Sequence, residues 1–314
     1  MKKMAILLIS LLYTINMFSQ IKISTTNEKT ANRNIEYDSL YNYPYEKLYA
    51  LIGQKLYIVP NPFYKRIGFT SFYKEPKYQA LKYKAKKKYD ETKYEYLADK
   101  TFYVSNIIER KAEPREIDIN ITRMPKGYKY YIELKEVENE NNIAYFEYSC
   151  SPDMYPFVCT GYFEKMKKKY IGTSYYYKNN LLSIKDYNSG EQIIPSPQSE
   201  WICKDIIIDS KDFRLKLLFE NKNKQSFIDT DKCIYSYVIP KELGDSYKKL
   251  YGDFYDAAMN HEVKIGMNKT MVEFSWGKPD KINPSNIKGE YSEQWVYNKA
   301  CLYFNKEGKL ESYN

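Results

Sequence analysis

The run Gly266-Met267-Asn268-Lys269-Thr270-Met271-Val272-Glu273-Phe274-Ser275-Trp276-Gly277-Lys278-Pro279 decides how the C-terminal part of the chain folds. Asn268 is a good N-cap, able to accept a hydrogen bond from one of the backbone N–H groups that a helix start leaves unpaired. Met267 and Val272 occupy the two positions of a hydrophobic staple. Gly277 is placed to end the helix in a left-handed conformation, and Pro279 blocks its continuation. A helix from Asn268 to Gly277 and then a short β-meander are therefore expected. In the meander, Tyr291 to Asn298 alternates, with Trp295 and Tyr297 on one face. Cys301 to Phe304 returns, and Asn305-Lys306-Glu307-Gly308 turns into Leu310. An earlier helix is expected to start at Ser246 and to pass Leu250, Phe254 and Ala257, ending near Met259.

Upstream, the pattern from Tyr45 to about Pro240 is β. Strand signals lie at Lys55 to Val59 and Thr101 to Ile108. In Tyr128 to Leu134, Tyr128, Tyr130, Ile132 and Leu134 alternate with Lys129, Tyr131 and Glu133. Period two of this kind predicts a sheet with one buried and one wet face. A turn at Val137-Glu138-Asn139-Glu140-Asn141 leads to a partner strand, Ile143 to Tyr148. The same plan recurs later, where Phe213, Leu215, Leu217 and Phe219 alternate and then turn at Asn221-Lys222-Asn223. Phe102 to Ile108 parallels Trp201 to Ile207, and Glu46-Lys47-Leu48 with Ile52-Gly53 parallels Glu164-Lys165-Met166 with Ile171-Gly172. Matches in one order argue for two related antiparallel modules. Each has a size that suits an SH3-like small barrel. Lys84, Lys86, Lys87 and Lys88 lie in a long excursion of the first module, and Pro195-Ser196-Pro197 in a loop of the second. The fold class is thus α+β, mostly β.

Lys2-Lys3 followed by the apolar stretch Met4 to Phe18 reads as a secretory signal, cut after Ser19 to leave Gln20 at the mature N-terminus. Residues 20–44 are polar and without periodicity, as in a flexible tether. The expected division is signal 1–19, tether 20–44, β-rich module 45–150, β-rich module 160–240 and a C-terminal unit over 245–314. Export permits disulfides. The chain has 5 cysteines, an odd number, so at least one stays free or pairs with another chain. Cys150 and Cys159 flank a short loop and are the first candidates for a bridge. No later segment has the length and apolarity of a membrane span.

The C-terminal residues resemble the SmpA/OmlA, or BamE-like, outer-membrane assembly family. The matching positions are Gly266, Met267, Val272, Gly277, Pro279, Trp295, Tyr297, Phe304 and Gly308, continuing to Leu310. The resemblance implies an ααβββ unit, with two helices on a three-stranded sheet. It also implies a non-catalytic, accessory part in the machinery that inserts β-barrel proteins. The chain has no cysteine near the signal junction to act as the family's lipid anchor, and it carries a large β-rich region that family members lack. The matched residues are cap, turn and core positions, which carry fold rather than partner contacts.

At 43% hydrophobic residues the chain can bury real cores. The 36 tyrosines fit either an AT-rich genome or a stacking surface for sugars, and the +9 formal charge specifies no partner. His261, the single histidine, follows a helix end, where a solvated imidazole is ordinary. No nucleophile, C-x-x-C pair or phosphate loop accompanies it. Asp205, Asp209 and Asp212 are the acids that could pair in space. These features point to an exported, non-catalytic binding or scaffold protein, periplasmic, secreted or peripheral to the outer membrane. Its partner is an envelope protein or polysaccharide, with no nucleic acid and no cofactor implied. The alternatives are a tyrosine-based glycan binder, an enzyme inhibitor and a carboxylate hydrolase.

Overall fold

A computed structural model describes residues 36–87, 90–116, 127–148, 155–178, 183–209, 214–230, 236–284, 292–298 and 300–314. The signal segment with Ser19 and Gln20, and Cys150, Phe213 and Asp212, lie outside these residues. The described part is mostly β, arranged as several antiparallel sheets.

The first unit contains β1 (Lys55–Ile58), α1 (Pro62–Ile67), β2 (Phe72–Tyr73), β3 (Thr101–Lys111), β4 (Tyr128–Glu136), β5 (Asn139–Tyr148) and β6 (Phe157–Cys159). Its sheet order is β2-β5-β4-β3-β1-β6. Alternation works as expected on one face, where Tyr130, Ile132 and Leu134 are buried. The other face is not wet throughout. Tyr131 is 1% exposed, covered by Tyr73 and by Arg110, whose guanidinium lies 3.0 Å from its hydroxyl. Sequence alternation had no means of showing that the excursion after β2 folds back over this face.

The second unit follows without a linker: α2 (Thr160–Tyr170), β7 (Ser174–Tyr177), β8 (Ile184–Lys185), β9 (Gln192–Ile193), β10 (Glu200–Ile208), β11 (Leu215–Asn221), β12 (Lys224–Asp229) and β13 (Val238–Pro240). Its main sheet runs β12-β11-β10-β7-β13, the order of β5-β4-β3-β1-β6 in the first. Finer details agree too. β3 has a register shift between Val104 and Asn106, and β10 has one between Cys203 and Asp205. At each bulge the side chain restores a bond that the ladder loses. Asn106 Oδ1 accepts from Ile107 N at 2.9 Å, and Asp205 Oδ1 accepts from Ile206 N at 2.8 Å. Gly53 and Gly172, at φ 85° and 84°, donate their N–H to the carbonyls of Val104 and Cys203. Only glycine adopts that backbone without strain. As hydrogen-bonded, both sheet orders have two ends rather than closing on themselves.

The two units also share material. On β1 and β6, Leu56, Ile58, Phe157 and Cys159 enter the first core, while Tyr57, Val158 and Val59, just past β1, point the other way into the second. There α2 packs through Phe163, Met166 and Tyr170, spaced as one helix face. The pattern repeats one step on. Tyr175, Tyr177 and Val238 belong to the second core, and Tyr176 and Ile239 to the third. Period-two side-chain direction thus makes each junction strand pair serve two cores.

The third unit has α3 (Lys241–Tyr251), α4 (Tyr255–Met259), α5 (Lys269–Trp276), β14 (Lys281–Pro284), β15 (Glu293–Tyr297), β16 (Ala300–Phe304) and β17 (Leu310–Tyr313). α3 packs on the back of β7 and β13, and Gly244 permits the approach: a Cβ there would stand 2.6 Å from Tyr176 Cδ2. The α5 cap is as expected. Asn268 Oδ1 accepts from Met271 N at 2.9 Å, and Gly277 closes the helix at φ 84°.

Several expectations are corrected. The helix expected at Ser246 starts five residues earlier, at Lys241, and Ser246 Oγ instead donates to the Glu242 carbonyl inside it. The final sheet has four strands, β14-β15-β16-β17, where three were expected. The tether expected over 20–44 ends sooner, because Tyr37 and Tyr43 are buried in the first core. That core also extends past residue 150, through Tyr155, Phe157 and Cys159. Cys159 is a free buried thiol in β6, and Cys150, its expected partner, lies outside the described residues.

Candidate functional site

The junction of the second and third units opens into a crevice of about 360 Å³. Ser236 and Tyr237 ahead of β13, Leu243 and Tyr247 on α3, and the end of α5 form its walls. Its lining includes Lys178, His261 and the carboxylate of Glu273, together with the phenols of Tyr237 and Tyr247.

Lys178 directly follows β7, and its backbone N–H continues the ladder to the Tyr237 carbonyl at 2.8 Å. Its side chain is 4% exposed. Nζ donates to the Phe274 carbonyl at 2.5 Å and sits 4.4 Å from the centre of the Phe274 ring. That carbonyl belongs to the last turn of α5, where a helix leaves acceptors unpaired and favours positive charge. Burial lowers the ammonium pKa from 10.5 to about 8, with no other cause opposing or assisting it. Burial raises the phenol pKa values of Tyr251 and Tyr297, and the charge of Glu273, also on the wall, adds to both.

His261 follows the Asn260 C-cap of α4 at φ 58°, a left-handed position that histidine tolerates better than most residues. Its carbonyl accepts from Trp276 Nε1 at 2.8 Å. Burial and then the neighbouring Lys178 charge lower the imidazole to about 4, with the Ser236 backbone acting the other way. The ring is therefore neutral at pH 7, and Nε2 is buried with no hydrogen-bond partner. His261 thus follows a helix end, as expected, but its Nε2 is buried rather than solvated. Lys178 was not singled out in the sequence, since nothing in Tyr175-Tyr176-Tyr177-Lys178 marks it.

The residues that carry the BamE-like resemblance sit beside this crevice, several of them in the third core. Met267, Val272, Trp295, Phe304 and Leu310 are buried together. Gly266 N donates to the Leu310 carbonyl at 2.8 Å, and Leu310 N returns to Met267 at 2.7 Å. Tyr297 stacks edge-on to Trp276 and donates to the Gly277 carbonyl at 2.9 Å. Gly308 holds the β16–β17 turn at φ 71°, and Pro279 follows the capped helix. The chain places these residues as caps, turns and core.

Other candidates are internally satisfied. Asp205 serves the β10 bulge, and Asp209 pairs with Lys216. On the covered face of the first sheet, Arg110 holds Glu116 through two nitrogens, and Lys129 holds Glu147 at 2.9 Å. From the basic excursion, Lys82 turns inward to Tyr73, and Lys84 reaches Asn142 at 3.0 Å. Many tyrosines line the cores, among them Tyr37, Tyr57, Tyr131, Tyr155, Tyr177 and Tyr255. Among the described residues, no group of three or more His, Cys, Asp or Glu side chains is placed to hold a metal. No described helix is long and apolar enough to cross a membrane.

One strand edge also stands out. β1 is flanked by β3 and β6, and β7 by β10 and β13. β14 likewise follows a helix and a glycine of positive φ, but it pairs only with β15 among the described residues. Its Ile282 is 52% exposed. Comparison with known proteins adds no name: no protein-family model matches this chain, and neither does any curated protein or solved structure.

Proposed function

We propose that the chain is an exported, non-catalytic cell-envelope protein that binds a partner protein by accepting a strand at the edge of β14. The observation that carries this reading is the edge itself. In both earlier sheets the corresponding position is filled by a short antiparallel strand, β6 or β13. A strand edge offers main-chain hydrogen bonds to any chain that can lie along it. Export rests on the Lys2-Lys3 and Met4 to Phe18 leader. A BamE-like character for the third unit is supported by helices packed on an antiparallel meander with the glycine-closed α5. Its extra strand β14 and the preceding α3 set it apart from the plain ααβββ plan. Common ancestry of the first two units is supported by their shared strand order and bulges. The two free ends of each sheet weigh against an SH3-like barrel.

Photo-crosslinking tests the proposal. The full chain, carrying a benzophenone amino acid at position 282, is expected to capture a defined envelope protein, with barrel-assembly components the specific expectation. The same group at the exposed Ile194, away from any sheet edge of the third unit, should not. Equal capture at both positions, or none at 282, overturns the edge reading.

A further inference from the structure

The crevice between the second and third units has a chemistry that the strand edge does not explain. The equivalent joint between the first and second units shows what the fold alone needs. There the residue after β1 is Val59, fully buried, with its N–H on the Pro156 carbonyl at 3.2 Å. Lys178 holds the same place after β7, with its N–H on Tyr237. An aliphatic side chain therefore suffices to close such a joint. A lysine there costs desolvation, and one carbonyl and one ring face repay it only in part.

We propose that this crevice binds a small organic carboxylate with a ring-sized apolar body. The ligand's carboxylate sits on Lys178 Nζ, and a ligand hydroxyl or N–H donates to His261 Nε2. Three observations converge on this class. An ammonium has three donors, and the protein supplies a single hydrogen-bond acceptor to Nζ among the described residues. The imidazole donates to the Ser236 backbone and Nε2 has no partner, which puts the proton on Nδ1 and leaves Nε2 as an acceptor that asks for a donor from the ligand. Tyr247, Phe274 and Trp276 give apolar walls, and the volume of about 360 Å³ lies in the range of small-ligand pockets. A free hydroxy acid and the C-terminal residue of a peptide both present this chemistry. The inference does not depend on the β14 edge.

The test uses the purified full chain and calorimetry, with 3-phenyllactate as the free-acid probe and a hexapeptide ending in phenylalanine as the peptide probe. Their carboxamides serve as uncharged controls. Saturable binding of at least one acid is expected, with its amide at least about tenfold weaker. Lys178→Val, which copies the first joint, should lose at least about tenfold in affinity while keeping the far-ultraviolet spectrum. Lys178→Met repeats the test should the valine variant fold poorly. The chain has a single histidine, so its imidazole proton signal in NMR reports on the site alone. Bound carboxylate should raise the His261 pKa by offsetting the Lys178 charge. Preference between the probes identifies the source and supports the site either way. Failure of both acids to saturate, equal binding of acids and amides, or a Lys178 variant that binds as the parent does would overturn the proposal. None of these results bears on capture at position 282, so the two readings fail separately.

Discussion

At the joint of the first and second units the chain buries Val59, and at the joint of the second and third it buries Lys178. The strands, backbone bonds and packing helices around the two are equivalent, yet one joint buries an aliphatic side chain and the other holds a cation against a crevice. The contrast separates what a repeated architecture requires from what one copy has acquired. Architecture accounts for the bulges, the glycines and the two-faced junction strands. It does not account for an amine with lowered pKa beside an unpaired imidazole nitrogen. Groups of that kind concentrate where proteins bind or react.

The comparison can be broken most forcefully by exchanging the residues. Val59→Lys puts a charge into a joint where Val59 is fully buried, and should destabilise the chain by on the order of 3–5 kcal/mol in urea unfolding. A loss under 1 kcal/mol would mean that the first joint can also hydrate a cation, and the contrast would fall. Next in size are Gly53→Val and Gly172→Val. Each forces a branched side chain onto a φ near 85° or 84°, at a cost of about 1–3 kcal/mol. Similar losses are expected at both, measured by chemical denaturation, because both glycines bond to the same bulge position.

The reverse exchange, Lys178→Val, should stabilise by on the order of 1 kcal/mol near pH 7, since relief of desolvation outweighs the lost bond to Phe274. Its pH dependence has a definite sign. The folded pKa of about 8 lies below the ordinary 10.5, so between these values the unfolded chain holds more protons than the folded one. Parent stability therefore rises with pH across that window, and the advantage of the variant should vanish above it. Thermal melts at pH 7 and pH 11 decide this. The smallest effect is at the bulges. Asn106→Ala and Asp205→Ala each remove one side-chain bond to the next backbone N–H and should each cost about 1 kcal/mol. A large difference between them would show that the bulges resemble each other in shape alone.

Much of the scaffold was legible in the sequence, because its signals are local. Alternation located β4 and β11, a strand signal and a turn located β3 and β5, and the parallel between Phe102 to Ile108 and Trp201 to Ile207 fell on strands bulged at the same place. Asn268 and Gly277 bounded α5 correctly. The failures share a physical origin in long-range packing. Ser246 looked like a cap because its local chemistry allows it, but Pro240 ends β13 and passes the chain straight into α3. β14 carries no alternation that marks it, since Lys281, Ile282 and Pro284 lie on an edge. His261 and Lys178 lie far apart in sequence, and their burial depends on two units meeting. Composition could not place the tyrosines: it fitted both an AT-rich genome and a stacking surface, and many of them fill cores.

The strands that close the first two sheets pass directly into the next helix, Cys159 into Thr160 and Pro240 into Lys241. A gene-fusion boundary or protease cut at either place would take an edge from one sheet or a launching point from its successor. The units therefore cannot be traded as cassettes in recombination, and a stable fragment would have to keep the closing strand together with the helix it starts.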